Sequence, residues 1–322
     1  MTSDAATLAG LIAFLSGSAA VGEKIAIHTA YAPAQAVSAG IALGDDCAAI
    51  PDGDGWLLFA AEGMLESFVA DDPWFAGYSA VMVNLSDVAA MGGRPLAVVD
   101  VLWTPGAERS EEIWRGMSAA SLAYGVPIVG GHTTFTKSGS AFLAAAVLGK
   151  AAHLLTSFDA QPGDDLLMVV DLRGSWRREK PFWNASVDAP PERLRTDLQL
   201  LPALAESGWC KAAKDISNGG IVGTLAMLLE CSRAGAELWL DQLPQPPGVE
   251  LERWLSAFPS FGYLLSVPPN FTPQVVAHFA ARDLACAPIG TITASPSLVL
   301  GYGAARAPFP LAATSAPRAT SP

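Results

Sequence analysis

The stretch Val83-Asn84-Leu85-Ser86-Asp87-Val88-Ala89-Ala90-Met91-Gly92-Gly93-Arg94-Pro95 constrains the fold more than any other. Wound as a helix, it places Asn84, Asp87 and Met91 on one face, because positions three and four apart are neighbours. Ala89 and Ala90 let that helix lie close against another layer. Gly92-Gly93 ends it, and Pro95 stops it. Taken alone, an Asn and an Asp on one helix edge are solvated polar groups. Three more acid- or glycine-rich stretches change that balance: Gly44-Asp45-Asp46, Gly130-Gly131-His132-Thr133 and Asp215-Ile216-Ser217-Asn218-Gly219-Gly220. Each follows or abuts an apolar run, and together they suggest oxygen ligands for Mg²⁺ around a polyphosphate.

At 322 residues, 51% of them hydrophobic, the chain is long enough for two ordinary domains. The net charge of −12 argues against a nucleic-acid-binding or anionic-membrane surface. An acidic chain can still bind ATP if a metal supplies the positive charge. Cys47, Cys210, Cys231 and Cys286 form no CxxC pair, so structural zinc is not expected and a reduced, cytoplasmic setting fits. Residues 8–15 are apolar and precede Ser-Gly-Ser-Ala-Ala, which superficially resembles a signal peptide. No Lys or Arg precedes the run, Asp4 is acidic and the run is short, so an amphipathic helix over 5–16 is the better reading. No apolar run reaches membrane-spanning length.

Along the chain, Lys24 is expected in a flexible link over 21–24, weighed between a phosphate contact and a surface lysine. A short strand over 41–43 leads to Asp45 and Asp46, whose repulsion is costly unless water or a cation screens it. Asp52-Gly53-Asp54-Gly55 reads as a hairpin turn. Strands are expected over 56–61, leading to Glu62, and over 96–103, with Asp100 inward or at an edge. A helix over 111–124 begins at Ser110, a short strand over 128–129 enters Gly130-Gly131-His132-Thr133, and a strand over 142–148 closes this half. The first domain is set at 1–156, the second at 157–302, and a loosely held Ala/Pro/Ser/Thr tail at 303–322.

In the second half, strands are expected over 166–170, 237–240, 263–267 and 287–292, and helices over 196–207 and 221–231. A further helix, capped by Thr272 with Pro273 first, runs to about 282. The turn Asn218-Gly219-Gly220 at a helix start exposes backbone N–H groups and suits phosphate. Residues 173–184 form a basic, aromatic cluster in an acidic chain. They read either as an exposed loop of stacked Arg–Trp pairs or as a lid, with Arg177 and Arg178 meeting an anionic or planar substrate.

The four motifs, in this order and spacing, resemble the superfamily of aminoimidazole ribonucleotide synthetase, thiamine-monophosphate kinase, selenophosphate synthetase and the hydrogenase-maturation protein that dehydrates a thiocarboxamide. The resemblance covers roughly residues 5–295. It implies an α/β (α+β), two-domain fold. The N-terminal sheet-and-helix domain would pair into a barrel in a homodimer, and the C-terminal domain would lay helices on a mixed sheet. It also implies ATP and Mg²⁺ in a cleft between the domains. Asp45, Asp46 and Asp87 then resemble metal ligands, with Glu62 as a further one. Asn84, Gly130, Gly131 and Thr133 resemble nucleotide contacts, and Asp215 and His132 resemble catalytic groups.

The departures bear on the sub-function. The kinases' Ser-Thr-Asp reads Ala60-Ala61-Glu62, their Asp-Ile-Ser-Asp-Gly reads Asp215-Ile216-Ser217-Asn218-Gly219, and a late Glu is missing from Pro259-Ser260-Phe261-Gly262-Tyr263. No cysteine precedes Cys47, which argues against selenium chemistry. The segment 173–184 has no counterpart in these relatives, which points to a separate branch closest to the synthetase-related proteins. The leading expectation is ATP- and Mg²⁺-dependent phosphoryl transfer to a small metabolite, resembling thiamine-monophosphate kinase. A ligase or cyclase resembling the aminoimidazole ribonucleotide enzyme is the alternative, and a non-catalytic ATP-binding scaffold is the third reading.

Overall fold

The computed structural model describes residues 2–137 and 139–311. Helices α1 (Ser3–Ser16), α2 (Ala19–Ala26) and α3 (His28–Tyr31) come first. A five-stranded sheet with two long helices follows: β1 (Ala48–Asp52), β2 (Gly55–Met64), α4 (Glu66–Asp71), α5 (Pro73–Ala90), β3 (Arg94–Thr104), α6 (Ala107–Tyr124), β4 (Ile128–Phe135) and β5 (Phe142–Ala151). The strand order is β1-β2-β5-β3-β4, antiparallel except for β3–β4, which the α6 crossover makes parallel. The Asp52–Gly55 turn closes the β1–β2 hairpin as its chemistry demands, with Gly53 at φ +59°.

Helix α5 is buried around nearly its whole circumference. It packs on β2 and β5 of this sheet, and on the other side it meets β9 and α8 of the second domain. A helix enclosed on all sides must be small or apolar all round. The alanines, valines and glycine of 76–90 satisfy that; Ser79, Asn84 and Asp87 are the buried polar exceptions, and Asp87 alone of them is an acid.

The second half runs β6 (Asp165–Val170), β7 (Ser175–Trp176), β8 (Phe182–Asn184), α7 (Pro191–Asp197), α8 (Leu200–Ser207), β9 (Ala212–Asp215), α9 (Gly220–Ser232), β10 (Gly235–Trp239), α10 (Leu251–Leu255), β11 (Phe258–Pro259), β12 (Gly262–Val267), α11 (Thr272–Ala280), β13 (Ala285–Thr293), β14 (Leu298–Tyr302) and β15 (Ala305–Phe309). Seven strands form a mixed sheet, β15-β14-β10-β13-β6-β12-β9, and β11-β8-β7 make a small third sheet. The α/β, two-domain architecture agrees with the sequence reading.

Several local expectations are corrected. The link over 21–24 is the middle of α2, which packs on α9, so tertiary burial of Val21 outweighs the helix penalty of Gly22. Residues 41–43 are irregular, and the first strand begins only at Ala48. Helix α6 starts a turn before Ser110, whose Oγ donates to the Ala107 carbonyl at 2.7 Å instead of capping. The helix expected over 196–207 is two helices, α7 and α8. Thr272 does not cap α11 but donates from Oγ1 to Asp165 at 2.6 Å. The strand at 128–129 continues to Phe135, because pairing with β3 carries the glycines along in extended form. The tail expected from 303 is ordered at its start, where β15 pairs with β14 and buries Phe309. Its remainder, 312–322, lies outside the described residues. Helices α1 and α2 belong to the second body, where Leu8, Leu11, Leu15 and Val21 join the core of the seven-stranded sheet.

Candidate functional site

Strand ends and helices from both sheets converge at one point. The loop before β1 delivers Asp45 and Asp46, β2 delivers Glu62, α5 delivers Asp87, and the end of β9 delivers Asp215. One carboxylate oxygen from each of Asp46, Asp87 and Asp215 lies within 4.8 Å of the other two. Asp87 is 6% exposed, and among the described residues its Oδ2 is buried without a hydrogen-bond partner.

The surrounding contacts hold the acids in place. Asp45 accepts from the Ser157 backbone N–H at 2.9 Å and from its hydroxyl at 2.6 Å. Lys214 donates its ammonium to Asp46 Oδ1, and the Asp215 backbone N–H donates to Asp46 Oδ2 at 3.3 Å. Ser86, one residue before Asp87, donates to the Tyr263 hydroxyl at 3.0 Å, and Tyr263 stands opposite Asp215 in the β12–β9 ladder.

The electrostatics match this crowding. Burial, then Asp46, pushes the Asp45 carboxyl up to about 6, against the pull of Lys214 and Ser157. Burial, then Asp46, pushes Asp215 up to about 8. Asp87 is raised well above the carboxylate range by burial and then by Asp215, Glu62 and Asp46. Glu62, exposed on β2, is raised by partial desolvation of its carboxyl, against the pull of Lys24. For Lys214, burial alone would favour the neutral amine, but Asp46, Asp45 and Asp215 outweigh it and raise its pKa. The cluster is therefore short of positive charge. An orphaned, buried carboxylate oxygen among hard oxygen donors fits a divalent cation, whose opposite ligands at Mg²⁺ stand about 4.2 Å apart.

The structure sorts the remaining sequence candidates. Asn218, Gly219 and Gly220 form the N-terminus of α9 beside Asp215. Gly220 has φ +62°, and a Cβ there would run into the Leu255 carbonyl, so only glycine fits. The Lys24 stem lies against Gly219, and its charge favours the ionised forms of Glu62 and Asp215. Asn84 points elsewhere: fully buried, it donates to the Ala80 carbonyl at 2.7 Å and to Ala145 of β5 at 3.3 Å.

Gly130, Gly131, His132 and Thr133 lie within the edge strand β4, not in a loop. Gly131 sits directly against the buried Asp100 side chain. His132 is opposite Val101 in the β3–β4 ladder, on the face away from buried Asp100 and Leu102, and pairs with Thr134 Oγ1 at 3.0 Å. It is thus separated from the cluster of its own chain. Arg177 and Arg178 gather at the α4–α5 corner. Arg177 donates to both Asp72 oxygens at 3.0 and 3.2 Å and stacks over Phe75, and Arg178 donates to the Asp71 carbonyl at 3.3 Å. The expected Arg–Trp stacking occurs with another partner, Arg253 over Trp176.

Sequence reading missed Lys214, Ser157 and Tyr263. The signal for Lys214 was present: a lone basic residue inside Ala212-Ala213-Lys214-Asp215-Ile216, a run whose strand positions are all buried.

Fold and site together define a two-domain α/β protein with a buried acidic cluster where its sheets meet. The chain belongs to the AIR synthase related family: the family's N-terminal domain matches residues 44–151 and its C-terminal domain residues 138–303. It is 52% identical over 264 residues to the Uncharacterized protein sll0787 of Synechocystis sp., covering 82% of each chain. It is 30% identical over 190 residues to the thiamine-monophosphate kinase of Pyrococcus horikoshii, covering 55% of this chain and 60% of that one. In fold it is similar to T. maritima PurL complexed with ATP, with a TM-score of 0.71 at 18% identity. That match covers 82% of this chain and 45% of PurL, so the chain spans about half of the PurL length. Among the described residues, no single helix is long and apolar enough to cross a membrane.

Proposed function

We propose that the chain is an ATP-dependent enzyme that uses Mg²⁺ to transfer a phosphoryl group to a small metabolite. The observation that carries the reading is the orphaned Asp87 oxygen facing Asp46 and Asp215, next to the glycine-lined start of α9. Asp46, Asp87, Asp215 and Glu62 would hold the metal. The backbone N–H groups at Gly219 and Gly220, the dipole of α9 and Lys24 would hold phosphate oxygens. When bound, Mg²⁺ supplies charge neutralisation at the transferring phosphate, and the protein contributes positioning. Asp215, whose carboxyl is pushed up to about 8 without metal, would give up its proton when the metal binds.

The kinase form of this reading rests on Asn-Leu-Ser-Asp, on Asp-Ile-Ser and on the thiamine-monophosphate kinase relative. A ligase form is supported by the PurL-like fold and Gly219-Gly220. Product analysis separates them: a kinase yields a phosphorylated product, and a ligase releases inorganic phosphate beside its product. Mg·ATP binding without turnover across a metabolite panel would favour the scaffold reading over both.

A homodimer accords with the face of the five-stranded sheet opposite α5. Phe59 and Leu148 are paired there across β2–β5, and Trp103 and Phe142 across β3–β5. All four are exposed, at 39–51%. A second copy covering this face would enclose a large apolar area and carry His132 into the interface. Light scattering on the purified protein tests it: a mass twice that of the chain supports the dimer, and a monomer at all concentrations removes it.

A further inference from the structure

Phosphoryl transfer through bound metal does not call for a lysine inside the carboxylate cluster, yet Lys214 is there. Its side chain is 2% exposed. Its ammonium contacts Asp46 Oδ1 and lies 3.4 Å from Ser157 Oγ, which in turn donates to Asp45. The Asp45–Asp46 edge is therefore supplied from within the chain: each carboxylate has a donor, and one fixed positive charge sits against the pair. The opposite edge differs. Asp87 and Asp215 have no basic partner within salt-bridge distance among the described residues, and the inner oxygen of Asp87 has no hydrogen-bond donor at all.

We propose that Lys214 is a built-in cation that takes the place of one divalent ion at the Asp45–Asp46 edge, leaving a single exchangeable metal position at Asp87, Asp215 and the second oxygen of Asp46. An ammonium and a divalent ion are not equivalent in such a place. The ammonium is covalently retained, contributes one charge where the ion contributes two, and donates hydrogen bonds in place of accepting lone pairs. It therefore holds Asp46 with Oδ2 turned toward the metal position and lowers the number of ions the cluster needs. Lys214 is a positioning residue in this sense, acting through Asp46. The inference deepens the phosphoryl-transfer reading and rests on it for the identity of the metal–nucleotide ligand, but its test does not depend on turnover.

The probe is Mn²⁺, counted on the full chain without nucleotide by loss of the free-ion paramagnetic resonance signal. Thermal unfolding is recorded in parallel, with chelator and with Mn²⁺. The wild type is expected to take one tight equivalent. Lys214→Met is expected to take one more and to gain a larger Mn²⁺-induced rise in Tm than the wild type. Lys214→Met with Asp45→Asn is expected to return to one equivalent, because the uncompensated charge at that edge is gone while Asp46, Asp87 and Asp215 are untouched. An unchanged count in Lys214→Met, or two or more tight equivalents in the wild type, overturns the inference. If Lys214→Met folds only with Mn²⁺, that dependence is the expected gain; if it folds under neither condition, the wild-type count decides. Absence of Mg²⁺-dependent ATP binding in the wild type would instead sink the phosphoryl-transfer reading, and the Mn²⁺ count would stand apart from it.

Discussion

Asp46 and Lys214, 168 residues apart, form a hydrogen-bonded ion pair whose side chains are 6% and 2% exposed. The pair ties the loop that enters the first sheet to the edge strand of the second, so it joins the domains as well as shaping the site. Breaking a buried pair leaves the surviving charge without compensation, which typically costs about 3–5 kcal/mol. Asp46→Ala is expected near the low end, because Asp45 still faces Lys214. Urea denaturation checks this, and a loss below about 1 kcal/mol would show that the pair is not holding the loop.

The raised carboxyls set a pH dependence. Asp45 titrates near 6 and Asp215 near 8 in the folded chain, both above the 3.8 of an ordinary aspartate. As pH rises from about 4 toward 8, the unfolded state has already released protons that the folded state still holds. Stability of the metal-free protein therefore falls across that window and levels off above it. A divalent metal displaces the same protons, so its apparent affinity should climb over the same range. Calorimetry in buffers of different ionisation heat should show proton release on Mn²⁺ binding at pH 7. No release would contradict the protonated state of Asp215.

Arg177 bridges the hairpin of the second half to Asp72, whose Oδ1 also accepts from the Phe75 N–H and caps α5. Arg177→Ala is expected to lower stability by about 1–3 kcal/mol, because it leaves a poorly solvated carboxylate short of donors. The change in Tm is expected to be several degrees. An unchanged Tm together with a raised KM for the acceptor would return this arginine to substrate recognition.

The exposed face of the five-stranded sheet makes a separate prediction. Phe59→Lys with Trp103→Glu should give a folded monomer, measured by light scattering, if a second copy covers that face. A dimer that survives both changes would place the interface elsewhere.

Much of this was legible in the sequence, for physical reasons that also explain the misses. The hairpin at Asp52–Gly55 and the enclosed helix α5 were readable because turn chemistry and small-residue patterning are local. Asn84 and Asp87 do share an edge, but three residues leave about 60° between them on a helix of 3.6 residues per turn. That is enough for Asn84 to bond β5 while Asp87 faces the cluster. The Gly130-Gly131 pair read as a loop because glycine punctuates most chains; here the strand needs it, since the Asp100 side chain occupies the space of a Cβ. Strand β15 was hidden by Ala/Pro composition and exists through its pairing with β14. Lys214 was missed because lysines are mostly exposed, and its partner lies too far along the chain for spacing to show it.

The most direct test is isothermal titration of ATP with and without Mg²⁺, on the wild type and on Asp87→Asn. Replacing a crowded acid whose ionised form burial disfavours should leave Asp87→Asn folded, with a metal-free Tm equal to or above that of the wild type. The expected result is Mg²⁺-dependent ATP binding by the wild type that weakens at least tenfold, about 1.4 kcal/mol, in the variant. Equal Mg²⁺-dependent affinity in both proteins would show that the nucleotide's metal does not sit at the Asp46–Asp87–Asp215 cluster.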